Sequence, residues 1–491
     1  MPKLGNRPNM LIVMTEHQQG WTVDPDCPCR MPNVKDRIAG QGMRFERGYT
    51  PCALCAPARA SFFTGLYPTG HGMYNNYHSA PVMHSGLFPG VGLFSERLEK
   101  AGYNLSYIGK WHVSGDKLPT DCGWEVPAGL SGPAASGAPG RQERRRRYKE
   151  IRKGRPRPSR GTSGAAVQRP GWGDYHVYGA LPGTVEDMRD FQRGKIAAKE
   201  IRRLSRGPEP WVLYVGLTEI HDPYFVVEPY ASMYDPRDVP LPGNYHDSLE
   251  DKPAIYRRMR QQLWSQLSEE EVREAIAHYW GLCTMNDDVM GLLLDTLDEV
   301  DATQNTLVLY TADHGDQVGS HGLFLKGVMP FEESYRVPTA IRWPERVRPG
   351  TTCSEFVTLC DFAPTFCEVA EAEPMDEAHG RSLLPLLQGS TPDDWPQTFF
   401  GQFCGTELYY TQRIVRDKRY KYVFNGFDFD ELYDLHKDPY ELKNLANDSG
   451  YEHVKKRLIG EMWDWVEKTD DVIFNRYASV ALVPYGPTGR D

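Results

Sequence analysis

The sequence predicts an α/β fold in which a large, mostly parallel sheet is sandwiched by helices. Three short apolar runs, at residues 9–14, 211–215 and 306–310, have the length and composition of buried strands. A helical pattern is clearest at residues 277–297, where apolar side chains recur three or four positions apart. Buried strands that alternate with helices are typical of a parallel sheet covered on both faces.

A smaller α+β domain is expected at the C-terminal end of the chain. Residues 413–423 have the pattern of two short amphipathic strands joined by a charged turn. We therefore predict a large domain over residues 1–390, and a C-terminal subdomain with a tail over residues 391–491. Residues 122–183 are rich in Gly, Pro, Ser and Arg, and residues 141–160 carry 11 Lys or Arg against 2 Glu, so we expect an inserted arm there.

The composition excludes several classes of protein. The 66 acidic residues outnumber the 56 basic ones and give a formal net charge of -10, which argues against a protein that coats nucleic acid. No apolar run is long enough to cross a bilayer, and the first strand begins too early for a cleavable signal segment to precede it. We therefore expect a cytoplasmic protein with no nucleic-acid or membrane partner. The 10 cysteines are scattered, which favours reduced thiols over a disulfide framework.

Polar side chains follow each of the three predicted strands at its carboxyl end. Glu16 and His17 follow the first strand, His221 follows the second, and Asp313 and His314 follow the third. Ligands of open α/β sheets gather at this edge of the sheet, so we expect these side chains to lie close together. Taken singly, each of them could equally close a turn or cap a helix.

This set of side chains is suited to a divalent metal ion. A hard cation needs several oxygen ligands, which Glu16, Asp313 and an oxygen at position 55 could supply, and His314 adds one nitrogen. The mixture favours calcium, while the imidazole makes manganese or zinc competitive. His17 would shift the preference further toward a transition metal if it faced the ion, although a neighbour of a ligand more often points away.

Cys55 is predicted to lie at the start of a helix. Pro57 fits the first turn, and the helix dipole together with Arg59 would favour an anionic form of the group at position 55. A lone cysteine is more often a buried structural thiol. Cys52 and Cys55 also form a Cys-x-x-Cys pair, which can indicate redox or zinc chemistry, but no second pair at zinc-site spacing follows.

The residues around Cys55 resemble the signature of the type I sulfatases, which belong to the alkaline-phosphatase-like superfamily. The matching residues are Cys55-x-Pro57-x-Arg59 and then Thr64-Gly65. A second stretch, residues 102–112, is similar to the second sulfatase signature and ends in Gly109-Lys110-Trp111-His112. The resemblance implies that a formylglycine-generating enzyme oxidises Cys55 to formylglycine, the nucleophile of these enzymes.

The resemblance extends along nearly the whole chain and assigns roles to the candidate residues. The implied metal ligands are Glu16, Cys55, Asp313 and His314, with Glu16 in place of the family's aspartate. The implied catalytic residues are Cys55, Arg59, Lys110, His112, His221 and Lys326. The implied substrate ligands are Asn76, His221 and Lys326, and for Asn76 a role in a turn is equally open.

The same resemblance implies how these residues divide the chemistry. His221 or Lys326 would protonate the leaving alcohol, because a poor alkoxide leaving group needs a general acid. His112 would be the base of the second step, which expels sulfate, while Lys110 and Arg59 would position the hydrated aldehyde. The expected function is therefore the hydrolysis of a small-molecule or carbohydrate sulfate monoester to an alcohol and inorganic sulfate.

Two other functions remain open at the level of the sequence. A phosphonate monoester or phosphodiester hydrolase would share the nucleophile and the metal site, although Lys110 and His112 favour a sulfatase. Residues 141–160 could instead bind nucleic acid or an acidic polymer through their arginines. We also expect a homo-oligomer, because this basic arm and the aromatic tail at residues 472–491 could exchange between subunits.

Overall fold

The computed structural model describes residues 7–78, 84–127, 164–169, 174–406, 409–426, 428–473, 475–482 and 485–486. Its strands are β1 (Asn9–Thr15), β2 (Met43–Tyr49), β3 (Asn104–Gly109), β4 (Ala166–Val167), β5 (Tyr175–His176), β6 (Tyr178–Leu181), β7 (Trp211–Gly216), β8 (Tyr224–Val227), β9 (Thr306–Ala312), β10 (Thr339–Arg342), β11 (Thr351–Thr358), β12 (Phe399–Gly405), β13 (Tyr409–Arg416), β14 (Tyr420–Asn425) and β15 (Glu431–Asp434). Its α-helices are α1 (Cys55–Thr64), α2 (Pro68–His71), α3 (Phe94–Lys100), α4 (Arg189–Leu204), α5 (Ala254–Gln262), α6 (Glu269–Glu299), α7 (Glu332–Tyr335), α8 (Phe362–Val369), α9 (Leu384–Leu387), α10 (Glu452–Lys468) and α11 (Arg476–Ala481). A π-helix, Asn33–Ala39, lies between β1 and β2. Each helix in these described ranges is too short or too polar to cross a membrane.

A seven-stranded sheet in the order β11-β2-β10-β9-β1-β7-β3 forms the centre of the molecule. Neighbouring strands run parallel except at β10, which is antiparallel to both β2 and β9. The prediction of a large, mostly parallel sheet is therefore confirmed. The three apolar runs found in the sequence are its central strands β9, β1 and β7, and these are almost entirely buried.

Both faces of the central sheet are covered by helices, as the buried strands require. Leu11 and Val13 of β1 belong to the apolar core that contains α6, whereas Met10 and Ile12 belong to the core that contains α1 and α8. This division follows from the alternation of side chains along a strand. The helix predicted at residues 277–297 begins eight positions earlier, because Ser268 caps its first turn by accepting a hydrogen bond from the Glu271 N–H at 3.2 Å.

A four-stranded antiparallel sheet, β12-β13-β14-β15, forms the smaller C-terminal α+β unit. Its apolar face packs against α10, where Leu458, Met462 and Trp463 are fully buried. The predicted strand pair and its charged turn correspond to β13 and β14. The boundary at residue 390 stays a prediction, and the basic residues 141–160 lie outside the described residues.

The parallel strands bring the predicted site to one edge of the central sheet. Thr15 at the end of β1 pairs with Ala312 at the end of β9, and Met14 pairs with Gly216 at the end of β7. The residues that follow these three strand ends therefore emerge side by side, at the carboxyl edge where ligands of such sheets bind.

Candidate active site

Helix α1 begins at Cys55, as the sequence predicts, and both of its ends are fixed. At its start, the side-chain oxygen of Asn76 accepts a hydrogen bond from the Ala56 N–H at 3.0 Å, so Asn76 satisfies one of the unpaired amides of the first turn. At its end, Gly65 adopts the left-handed conformation, with φ 73°. The structure thus places Asn76 beside the nucleophile position and gives its oxygen a helix-capping contact.

The Cys55 side chain is buried between a carboxylate and an imidazole. Its Sγ lies 3.4 Å from Glu16 Oε1 and 3.3 Å from His314 Nε2, and only 2% of the residue is exposed. Burial raises the pKa of the Cys55 thiol, although Lys110 and Lys326 oppose this effect. For the unmodified thiol, burial thus opposes the anionic form that the helix dipole and Arg59 are expected to favour.

Arg59 lies one turn beyond Cys55 and holds several parts of the site together. Its Nε donates to Asp313 Oδ2 at 2.9 Å, and its Nη1 donates to the Lys110 carbonyl and the Tyr214 hydroxyl, each at 3.0 Å. Burial disfavours the guanidinium, but Tyr214 and Asp313 hold the pKa of Arg59 well above its usual range. Arg59 thus links the nucleophile helix to the strand end of β9.

Potential metal ligands surround position 55. Donor atoms of Cys55, Asp313 and His314 lie within 4.8 Å of one another, as do those of Glu16, His17, Cys55 and His221. His314 Nδ1 donates to the Gly315 carbonyl at 2.8 Å, which leaves the lone pair of Nε2 facing Cys55. Two carboxylates and a neutral imidazole around one position form a donor set that fits a divalent cation.

Glu16 carries a full negative charge within this cluster. Burial opposes its ionisation, but Lys110, His221 and Arg59 hold the pKa of Glu16 well below its usual range. Lys110 Nζ forms an ion pair with Glu16 Oε1, and His221 Nε2 lies 3.8 Å from the same oxygen. The Glu16 carboxylate therefore contacts both Cys55 and Lys110.

His17 has partners for both of its ring nitrogens. Its Nδ1 donates to Asp316 Oδ2 at 2.8 Å, so its Nε2 accepts from Lys326 Nζ. Burial, together with His221 and Lys326, lowers the pKa of His17 well below its ordinary value. In this arrangement His17 orients Lys326 from a left-handed backbone conformation with φ 58°.

His221 and Lys326 face the cluster from the other side, as the sequence predicts. Lys326 Nζ lies 3.1 Å from His221 Nε2. His221 Nδ1 is 2.7 Å from the carbonyl of Asp222 and 3.0 Å from its Oδ1, which fixes the ring. The lone pair of Nε2 then points at the Lys326 ammonium, and both groups are available to an anion bound beside Cys55.

Lys110 and His112 follow the end of β3 in a tight turn. Gly109 has φ 97°, and His112 also lies in the left-handed region, with φ 55°. His112 Nε2 is 3.1 Å from Nδ1 of His78, a residue that the sequence analysis did not single out and that no motif near it indicates. Burial and the Lys110 ammonium lower the pKa of His112 well below its ordinary value, so its ring is neutral.

A cavity of about 590 Å³ opens beside Glu16, Lys110 and His221. Its outer wall combines charged and aromatic side chains, namely Arg169, Tyr175, His176, Arg189, Glu219 and Phe225. A polar cavity of this size accommodates a small ester whose alcohol part carries hydrogen-bonding groups.

The structure brings most of the predicted site residues into one cluster. The residues that converge on position 55 are Glu16, Arg59, Lys110, His221, Asp313, His314 and Lys326. Tyr214 and His78 were missed, because their contacts with Arg59 and His112 join residues that are distant in sequence. Asp222 contacts the adjacent His221 and was missed because the sequence around it is typical of an ordinary turn. A buried cysteine at a helix start, faced by acids and imidazoles from parallel strand ends, is an arrangement suited to the hydrolysis of an ester.

The family of the protein follows from comparison with known proteins. The model of the Sulfatase family matches residues 8–372, well over half of the chain, and the chain belongs to that family. A second model, described as N-sulphoglucosamine sulphohydrolase, C-terminal, matches residues 319–468. The protein is thus a sulfatase-family enzyme.

Relatives of known name match most of the length of the chain. Choline-sulfatase of Rhizobium meliloti (strain 1021) is 28% identical over a match that covers 90% of this chain and 82% of that protein. N-acetylglucosamine-6-O-sulfatase of Bacteroides thetaiotaomicron is 26% identical, with 92% and 85% covered. The phosphonate monoester hydrolase of Agrobacterium radiobacter superposes with a TM-score of 0.76 at 23% identity, covering 94% of this chain and 96% of that one, which shows a shared fold.

Proposed function

We propose that the protein hydrolyses sulfate monoesters to an alcohol and inorganic sulfate, with formylglycine made from Cys55 as the nucleophile. The observation that carries this proposal is the position of Cys55 at the start of α1, within 3.5 Å of Glu16 and His314. The Cys-x-Pro-x-Arg run around it supports maturation by a formylglycine-generating enzyme. The hydrated aldehyde would supply a hydroxyl nucleophile that the buried thiol does not.

One divalent metal ion completes the proposed site. Glu16, Asp313, His314 and an oxygen of the modified residue 55 would hold it, and calcium suits these oxygens best, with manganese or zinc as alternatives. The ion would lower the pKa of the attacking hydroxyl and neutralise charge on the transferred group. The Lys110 ammonium, which pairs with Glu16, supplies positive charge at the same place.

The protein's own side chains divide the remaining work. Lys326 donates to a sulfate oxygen, and His17 holds its ammonium in place. Lys326 or His221 would protonate the leaving alcohol oxygen, His221 only after it has taken up a proton at Nε2, which lies 3.1 Å from the Lys326 ammonium. His112 accepts a proton in the step that releases sulfate, and Arg59 orients the Asp313 carboxylate by donating to it.

The competing function is hydrolysis of a phosphonate monoester or a phosphodiester. The structural likeness to a phosphonate monoester hydrolase supports keeping it as the alternative. Lys110 and His112 favour the sulfate ester. The matured enzyme should therefore turn over an aryl sulfate with a higher kcat/KM than an aryl phosphonate monoester or a bis-aryl phosphodiester, and the reverse order would establish the alternative.

The alcohol carried by the sulfate is best found with a panel of esters. The names of two relatives point to choline sulfate and to the 6-O-sulfate of N-acetylglucosamine as first members. The charged and aromatic wall of the cavity suits either alcohol.

We further propose that the protein is cytoplasmic and forms a homo-oligomer. Cell fractionation would test its location, and light scattering would test its oligomeric state.

The nucleophile is tested by mass analysis and substitution at position 55. In protein made together with the maturation enzyme, the peptide that contains position 55 should have the mass expected for formylglycine in place of cysteine. Cys55→Ala should lower kcat/KM by at least about 10³-fold, as expected for loss of a nucleophile, and leave the circular dichroism spectrum unchanged. Cys52→Ala, a buried neighbour outside the motif, is the matched control and should keep activity. Full activity with an unconverted Cys55 would contradict the proposal.

A further inference from the structure

The last part of the predicted arm, residues 174–181, is folded against the catalytic domain beside the active-site cavity. Tyr175 of β5 pairs with Val167 of β4, and β6 runs parallel to β8, the strand that begins three residues after His221. Val167 and Val177 are almost fully buried in the apolar core that contains α6. This arm segment is therefore held in place next to the loop that carries His221.

Tyr175 of the arm segment lines the cavity, and its hydroxyl donates a hydrogen bond to Oδ2 of Asp222. The Arg169 guanidinium lies over the Tyr175 ring, 4.7 Å from its centroid, and Trp264 packs edge-on against the ring at 6.1 Å. Burial and Asp222 raise the pKa of Tyr175 well above its ordinary value, so the hydroxyl keeps its proton and is the donor. The ring is thus packed in place, with its hydroxyl directed at one carboxylate oxygen.

Asp222 contacts the His221 ring with two of its other oxygens. Its carbonyl accepts a hydrogen bond from His221 Nδ1 at 2.7 Å, and its Oδ1 lies 3.0 Å from the same nitrogen. With Nδ1 held in this way, Nε2 of His221 faces the reacting groups, 3.1 Å from Lys326 Nζ and 3.8 Å from Glu16 Oε1. Asp222 therefore joins Tyr175, on the cavity wall, to a ring beside the nucleophile position.

We propose that Tyr175 is a positioning residue that holds His221, through Asp222, in the orientation that protonates the leaving alcohol. The inference rests on the proposed sulfatase function. When the S–O bond breaks, its electron pair goes to the alcohol oxygen, which takes the proton that His221 has received at Nε2. Nε2 must then face that oxygen, and Asp222 keeps it there only while its own carboxylate is fixed by the Tyr175 hydroxyl. The arm segment thereby contributes to proton transfer as well as to the cavity wall.

The test uses Tyr175→Phe in the matured enzyme, because this substitution removes only the hydroxyl. Aryl sulfates with good and poor leaving groups report on proton donation, since a poor leaving group depends most on the general acid. We expect kcat/KM of Tyr175→Phe to fall about 10-fold for phenyl sulfate, a poor leaving group, and to stay within about twofold of wild type for nitrophenyl sulfate, a good one.

Tyr178→Phe is the matched control. The Tyr178 hydroxyl, on the next strand of the arm segment, also donates to a carboxylate, that of Glu274, and neither residue lines the cavity. This variant should keep the wild-type kcat/KM for both esters. Equal losses for the two esters in Tyr175→Phe would show that its hydroxyl has only a structural role, and wild-type values for both would show that it does not act on His221. Either result overturns the proposal and leaves the sulfatase function standing, since the wild-type protein cleaves the esters in both cases.

A second readout needs no catalytic activity. In the unmatured protein with Cys55, nitrogen-edited NMR of labelled histidine reports the surroundings of the two His221 ring nitrogens, whose resonances are identified by their loss in His221→Gln. These resonances should shift in Tyr175→Phe and stay at their wild-type positions in Tyr178→Phe. Unchanged resonances in Tyr175→Phe would overturn the proposal even if no sulfatase activity were found. Shifted resonances in a protein that cleaves no sulfate ester would refute the proposed function and not the coupling of Tyr175 to His221.

Discussion

Arg59 shows how one buried cation organises the active site. Its guanidinium is fully buried and contacts the Asp313 carboxylate, the Lys110 carbonyl and the Tyr214 hydroxyl. Removing one partner of a buried ion pair leaves the other charge without compensation. Because Asp313 is a proposed metal ligand, Arg59 couples the stability of helix α1 to the geometry of the metal site.

Arg59→Ala is therefore expected to lower the free energy of unfolding by about 3–5 kcal/mol, as measured by urea denaturation. Arg202→Ala is the matched control, since it removes an arginine whose ion pair with Glu299 is exposed, and it should change stability little. Equal effects of the two substitutions would show that burial does not set the strength of the Arg59 contacts.

The site residues that local pattern could predict are those next to an element end. Glu16 and Asp313 directly follow buried strands, and Cys55 directly precedes a helix with a proline in its first turn. His78 could not be predicted, because its importance comes from a contact with His112, 34 positions away. Nor could the sequence reveal that His17 would orient Lys326, since that contact depends on how β1 and the loop after β9 meet.

At the level of elements, Gly109 sets how closely β3 approaches β7. It pairs with Gly216, and a Cβ at position 109 would lie 2.1 Å from the Gly216 carbonyl oxygen. Gly109 also has a positive φ of 97°, which starts the turn that carries Lys110 to Glu16. Both requirements exclude any other residue at this position without movement of the backbone.

Gly109→Ala should destabilise the protein by more than the roughly 1 kcal/mol that a left-handed backbone alone costs an alanine, because β3 must also shift. Gly90→Ala separates the two effects, since Gly90 has a similar φ of 86° but no atom of the described residues lies within 4 Å of its Cβ position. Thermal unfolding of both variants measures the difference. A Tm for Gly109→Ala equal to that of Gly90→Ala would contradict the close approach.

Strands could be predicted from the sequence where burial on both faces gives them a continuous run of apolar residues. Strands β1, β7 and β9 are continuous apolar runs because helices cover them on both faces. Strand β2 was missed because its alternation of apolar and charged residues stops at Arg47 and Gly48, and β10 because four residues are too few to show a period. The antiparallel direction of β10 depends on its partners and has no local signal.

For the whole molecule, buried charges join the C-terminal sheet to the large domain. Glu332 of α7 accepts from Arg416 of β13 at 3.1 Å and from the Tyr49 hydroxyl of β2 at 2.5 Å. Lys421 of β14 pairs with both Glu332 and Glu441. Without these partners, the carboxylates of Glu332 and Glu441 would be unpaired charges with little access to water, which is unfavourable. The ion pairs between the two sheets therefore stabilise both of them.

His379 makes this junction sensitive to acid. Its Nδ1 accepts from the Tyr67 N–H at 3.1 Å, at the rim of a cavity of about 1020 Å³ between the large domain and α10. Burial and Lys468 lower the pKa of His379 from its ordinary value of 6.5 to about 4. Between these two pKa values the folded state binds fewer protons than the unfolded state. The free energy of unfolding therefore decreases as the pH falls from 6.5 toward about 4.

Replacing His379 by Gln should reduce that acid sensitivity. Between about pH 7 and about pH 4, wild type should lose about 1–3 kcal/mol more free energy of unfolding than His379→Gln, after allowance for partial exposure. Glutamine retains an acceptor for the Tyr67 amide. Urea denaturation of both proteins across this pH range measures the difference, and parallel curves would refute the assignment.

The burial of Cys55 bears on whether the proposed oxidation of its thiol takes place before or after the chain folds. Cys55 is the first residue of α1 and only 2% of it is exposed, so the folded protein offers a second enzyme almost no surface of this side chain. If formylglycine is made from Cys55 as proposed, its oxidation competes with folding, and the ratio of the two rates sets the fraction of active molecules. A chain that folds first would then keep its thiol and lack the proposed nucleophile.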